Sequence, residues 1–364
     1  MSHGPGLWCL SLARTLLRQA DRCHRHCWRL TARTRLGRLC LRNRSARLTL
    51  LATLHLGVAF ILALSVPLWL LVLGPLLLGV PHLIADIRYL LVRPPAGVSP
   101  ASTEAIILPL ALMTVWRILV VLGGPSAPEV EFLTGALAVG GAAWLTPGSR
   151  ARRGMALGSL CLLTGLALTA PQTATLCLAY AHNGIGFGLW VLWSRGEGPP
   201  WRRGAVTGLF VGAIVALVSG VCDPVAMATG AVTRTAVGLD MAAVTAALTP
   251  GVAAPLSTHL ILVFALTQTL HYVVWLRLVP GQLSLRSTPM SVQRSLHALR
   301  QDLGATGLWI AVGLTLLMPL LGLVDPLGVR AVYLSLALFH AWLELAVLTS
   351  QLVSSVAPLP RGSI

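Results

Sequence analysis

The chain has 364 residues, of which 55% are hydrophobic and only 10% charged, with a formal net charge of +16. A soluble domain carries about 25% charged residues, so this composition excludes an ordinary soluble enzyme and a disordered chain. Every basic residue is Arg, and 11 of the 27 lie before residue 48. Most of the others sit between apolar runs, which reads as membrane-topology signalling and not as a nucleic-acid face.

The first 47 residues form an Arg-rich leader. Arg14, Arg18, Arg22, Arg25, Arg29 and Arg33 recur at helical spacing with Leu and Trp between them. This pattern predicts a basic amphipathic segment on an anionic membrane surface. Its positive region is too long for a secretory signal, and no cleavage site follows a short apolar core. The composition is also that of a mitochondrial transit peptide, which stays open as an alternative. Cys23-His24-Arg25-His26-Cys27 offers two thiols and two imidazoles. Those ligands are crowded, and the intervening Arg repels a cation, so a basic surface helix is the favoured reading. Seven scattered cysteines imply no disulfide framework.

Apolar runs of about 20 residues then recur along most of the chain. Ten spans are expected, over 48–66, 68–92, 105–122, 131–147, 154–170, 173–194, 204–221, 255–278, 305–324 and 329–353. The expected fold is therefore an all-α, polytopic membrane bundle, with a transmembrane domain over 48–356 and a cytoplasmic tail over 357–364. The shorter alternating segments of a β-barrel are not apparent. Residues 222–254 are less apolar and read as an external loop with a short interfacial or re-entrant helix. Residues 286–303 read as an amphipathic surface helix. The leader, Arg93, Arg150, Arg195, Arg286 and Arg361 fall on one side of this topology. Glu129, Glu131, Asp223, Asp240 and Asp325 fall on the other, with only Arg234 and Arg330 as basic residues there. The alternation predicts both termini in the cytoplasm and a place in the cell inner membrane. No sequence repeat of the kind found in inverted-repeat transporters is evident.

Ionisable groups within the spans cost about 2.5–3.5 kcal/mol each by insertion scales, so each is a functional candidate. The second span holds His82 and Asp86, four residues apart on one helix face. The sixth holds Tyr180 and His182, and the eighth holds His271, Tyr272 and Trp275. The tenth holds His340, Trp342 and Glu344, again with His and carboxylate four apart. All four spans run in the same direction. Each of the four histidines falls at roughly 10–20 Å from the inner end at about 1.5 Å per residue, and His55 reaches a similar depth. Unrelated histidines would have no reason to share a layer. A lone membrane His is usually interhelical glue, but four in one layer with two carboxylates point to a metal site. Imidazole suits iron, copper and zinc, and carboxylates ligate the ion or orient the imidazoles. The metal-ligand candidates are His82, His182, His271 and His340, with Asp86 and Glu344 as catalytic or supporting carboxylates. Tyr180, Tyr272, Trp275 and Trp342 are candidates to line an apolar tunnel beside them. His259 reads as interfacial. Gly184, Gly186 and Gly188 read as a stripe for close helix packing.

The segment Gly79-Val80-Pro81-His82-x-x-x-Asp86 resembles the Gly-Leu-Pro-His-Gly-x-x-Asp motif of the Brp/Blh family of membrane β-carotene 15,15'-dioxygenases. Phe339-His340 resembles that family's late histidine segment. The resemblance implies a non-haem iron centre with His82 as its first ligand, and an activity that cleaves a carotenoid. This chain departs from the pattern at Leu83, where the family has glycine, and at Glu344, where it has a second histidine.

Together these readings predict an intramembrane non-haem Fe(II) oxygenase acting on a lipid-soluble polyene, with membrane lipid and that substrate as partners and no nucleic acid. The alternatives are a haem-binding membrane cytochrome and a proton-coupled transporter using the same His and carboxylates. A fourth reading is a structural subunit whose histidines only bind neighbouring helices.

Overall fold

The computed structural model describes residues 5–195, 198–284 and 291–354. Fourteen helices account for the architecture of these residues, and no strand is formed among them. The leader folds as α1 (Pro5–Thr31) and α2 (Arg35–Arg42). The bundle follows as α3 (Arg44–Ala63), α4 (Pro67–Val92), α5 (Pro100–Val121), α6 (Pro128–Leu145), α7 (Arg150–Thr169), α8 (Pro171–Trp193) and α9 (Pro200–Val218). Two short helices come next, α10 (Asp223–Ala228) and α11 (Met241–Leu248). The last three are α12 (Leu256–Leu283), α13 (Val292–Gly322) and α14 (Pro326–Val353).

Each of the ten expected spans coincides with one of these helices. Eight are long and apolar enough to cross a membrane, which marks the chain as a membrane protein. The other two, α6 and α7, carry Glu129 and Glu131 or Arg150, Arg152 and Arg153 in their first turns. Those charges dilute otherwise apolar helices.

The sequence sets the helix boundaries by simple chemistry. Pro67, Pro100, Pro128, Pro171, Pro200 and Pro326 each open a helix, where a missing N–H costs nothing. Asn43, Ser99 and Asp325 cap α3, α5 and α14 by accepting a first-turn N–H with their side chains. Gly304 adopts φ 72°, a backbone that glycine takes without a Cβ penalty. It kinks α13, separating the surface helix expected before it from the membrane span after it. The part of that surface helix over 286–290 lies outside the described residues.

Helix α12 occupies the centre of the bundle, with 78% of its apolar window buried, against 6% for α13 at the edge. It packs on α3, α4, α8 and α9, while α14 packs on α5, α6 and α8. Large apolar side chains such as Leu108, Leu122, Leu162 and Trp309 face outward, as lipid contact requires. The leader does more than lie on a surface. α1 packs on α13, and the buried Asp21 carboxylate accepts the Val292 N–H at 2.6 Å, which caps α13. Cys23 and Cys27 are exposed, and His24 accepts a hydrogen bond from Trp28 at 2.9 Å.

Candidate metal centre

Three helices that carry the key histidines are interrupted, and the interruptions flank the site. In α4 the backbone is π-helical over Gly74–Leu78 and again over Ile87–Val92, on either side of the α-helical turn pair Gly79–Asp86. Pro75 and Pro81 lack the N–H that a regular helix needs there. In α12 the segment Val274–Leu278 is π-helical and starts three residues after His271. α14 breaks between Leu336 and Phe339, so His340 sits in the first turn of a new helical segment. Single π-turns concentrate at functional sites because they re-aim the side chains beside them.

These helices bring His82, Asp86, His271 and His340 together. One ligating atom from each lies within 4.8 Å of the others, and all four residues are buried. His182 of α8 stands beside the group. The ring centres are separated by 5.3 Å for His82–His271, 5.0 Å for His82–His340, 5.2 Å for His182–His271, 5.0 Å for His182–His340 and 5.8 Å for His271–His340. Imidazoles bound to one tetrahedral ion at about 2.0–2.1 Å through nitrogen would put their ring centres about 5 Å apart. The observed spacing fits that arrangement, with four of the five pairs edge to face and His271–His340 tilted.

The polar atoms of the cluster carry a second message. His82 Nε2, His182 Nδ1, both nitrogens of His271, His340 Nε2, both oxygens of Asp86 and Glu344 Oε2 are buried without a hydrogen-bond partner. Buried polar groups are normally paired, and each exception calls for a cause. Eight such atoms gather in one place, on residue types that ligate metals, so the cluster could hold a cation.

Supporting contacts fix several of these side chains. His340 Nδ1 donates to the Ala337 carbonyl, which leaves Nε2 with its lone pair facing the cluster. His82 Nδ1 lies 3.4 Å from the Tyr333 hydroxyl, and its Nε2 is 3.9 Å from Asp86 Oδ2. Glu344 Oε1 accepts from Trp275 Nε1 at 2.7 Å and lies 3.4 Å from His271 Nε2. Glu344 thus serves the histidine of α12, although sequence spacing pairs it with His340. A Cβ at Gly186 would come within 2.9 Å of Trp275 Nε1 and 3.1 Å of His271 Nδ1. Glycine there lets α8 approach the site, whereas Gly184 and Gly188 face open space.

The four aromatic candidates separate. Tyr272 packs against His82 with ring centres 4.8 Å apart, and its hydroxyl accepts from Gln268 at 3.2 Å. Trp275 bonds Glu344 and also lines a large cavity on its other side. Tyr180 is half-buried and stacks edge-on against Phe264 at 4.9 Å. Trp342 turns away from the cluster, onto Gly135 and Phe132. His55 donates to the Leu51 carbonyl at 2.6 Å, and His259 pairs with Asp223 at 2.9 Å, so neither joins the cluster.

Sequence reasoning missed two features. Tyr333 lies seven residues before His340, two turns along α14, and its spacing was a usable signal. Arg117 was masked by the apolar run around it. Its guanidinium pairs with Glu131 and donates to the Ser335 hydroxyl at 2.6 Å, so Glu131 is a buried partner and not a loop charge.

No protein-family model matches the chain, and no curated protein or solved structure matches it.

Proposed function

We propose that the chain is an intramembrane non-haem iron oxygenase, with His82, His182, His271 and His340 holding a ferrous ion and a lipid-soluble polyene as substrate. The set of unpartnered nitrogens and carboxylate oxygens converging from α4, α8, α12 and α14 is the observation that supports it. Imidazoles with a nearby carboxylate suit iron. Bound there, iron would supply activation of molecular oxygen for attack on a carbon–carbon double bond.

The chain's own residues do the rest. Asp86 and Glu344 bring negative charge to a water-excluded site and offset that of a cation. Trp275 holds the Glu344 carboxylate toward His271, and Ala337 fixes the His340 ring. The resemblance of Gly79–Asp86 to the carotenoid-cleaving motif points to a polyene of that class. We also infer that α6 and α7 cross the membrane, giving ten spans with both termini on the Arg-rich, cytoplasmic side of the cell inner membrane.

The edge-to-face contacts among the four rings leave no slot for a porphyrin between two axial histidines, which disfavours a haem cytochrome. The interruptions in α4, α12 and α14 favour a second reading, a proton-coupled carrier, because broken helices are the hallmark of transporter sites. Metal retention separates the two. Under the oxygenase reading, His82→Ala and His340→Ala each abolish iron retention in folded protein. Full iron content in both variants would overturn the assignment.

A further inference from the structure

A cavity of about 560 Å³ lies beside the metal centre, between α3, α4, α12 and α13. Its deep part is apolar, walled by Pro81, Ala85, Trp275 and Ala311. Its other end carries Arg47, Arg88 and Arg277, with no acidic side chain among the described lining residues. Arg47 stands at the start of α3 and Arg88 at the end of α4, so the guanidinium groups gather at the Arg-rich face of the bundle. Arg277 is exposed there, whereas Arg47 is buried and donates to the Cys40 carbonyl at 3.0 Å. Asp302 lies outside the lining and pairs with Arg88 at 2.6 Å and Arg93 at 2.5 Å, which holds the Arg88 end of α4 against α13.

We propose that this cavity binds a single-chain anionic amphiphile, a long-chain carboxylate whose head pairs with the exposed Arg277, beside Arg47 and Arg88, and whose chain runs inward past Trp275 toward Pro81 and Thr315. Charge complementarity selects the head, because guanidinium groups recognise carboxylates in a fixed fork geometry. Volume admits such a chain: a methylene takes about the room of a water molecule, roughly 30 Å³ in the liquid, so the cavity has room for a chain of at least roughly 18 carbons. Trp275 and the α4 face of Pro81 and Ala85 separate this chain from His82, Asp86 and Glu344. The site stands as a ligand site without the metal.

The test uses the full-length protein in phosphatidylcholine nanodiscs and a palmitate bearing a mid-chain diazirine. Photolabelling is mapped by peptide mass spectrometry, and iron is assayed on the same sample. Labels are expected on α4 and on α12 around Trp275, and on α13 around Ala311. Oleate should compete and oleyl alcohol should not. Arg277→Gln should lower labelling about tenfold, and Ala311→Trp should abolish it by filling the cavity. Uniform labelling of all lipid-facing helices, equal competition by the alcohol, or unchanged labelling in Arg277→Gln would each overturn the proposal. Specific labelling of a protein that retains no iron would leave this site standing and sink the oxygenase reading.

Discussion

Replacing Glu344 by Gln separates a carboxylate that balances a cation from one that only packs. Glu344 is fully buried, with Oε1 bonded to Trp275 and Oε2 without a partner. Glutamine keeps an oxygen to accept the Trp275 N–H, so that bond, worth about 1 kcal/mol net, survives. What is lost is the negative charge beside His271. Without the metal the Glu344 charge lies buried with no cation to compensate it, and a neutral side chain removes that desolvation cost, so the metal-free unfolding free energy should stay level or rise. Loss of a group that supports a metal ligand costs about 10–100-fold in affinity, which is about 1.4–2.7 kcal/mol. The two effects have opposite signs, so the variant should lose most of the metal-dependent rise in Tm while its metal-free Tm holds. Iron titrations and thermal melts of stripped and reloaded protein measure both. A variant that binds iron as tightly as the parent, or that is destabilised equally with and without metal, would refute the reasoning.

Other predictions test the surroundings. Trp342→Ala should cost about 3–5 kcal/mol of stability by emptying the space against Gly135 and Phe132, with iron per folded molecule unchanged in metal analysis. Arg117→Met alone should destabilise by about 3–5 kcal/mol because it strands the buried Glu131 carboxylate, and adding Glu131→Leu should recover most of that loss in denaturation experiments. Stripping metal with a chelator should lower Tm, and readdition should restore it in proportion to the logarithm of free metal, because the ion binds only the folded cluster.

Much of the site was legible in the sequence because few residues in this chain are polar and membrane depth sorts them. His82 and Asp86, four apart in a short α-helical stretch, were placed correctly relative to each other by helical spacing alone. The role of Glu344 was not, because spacing gives a face of α14 and says nothing of which neighbouring helix that face meets. The packing of α12 decides it, through Gly186 on one side and Trp275 on the other. Trp342 misled for the same reason: a tryptophan two residues from a site histidine points about 200° away on a helix of 3.6 residues per turn, and here it meets α6. Helix boundaries followed from prolines and caps. The π-helical turns did not, since Pro75 and Pro81 announce an interruption but not the way the backbone absorbs it. Glu131 was hidden because it lies near a helix end, where a charge looks like a topology signal until Arg117 across the bundle is seen.

In the proposed centre, four histidines from four helices hold one non-haem iron. The most direct measurement is elemental analysis with a visible absorption spectrum on purified protein, for the parent and for His82→Ala and His340→Ala. The parent should carry iron near one equivalent with no Soret band, and both folded variants should lose the iron. A Soret band, or iron retained in full by both variants, would contradict that assignment.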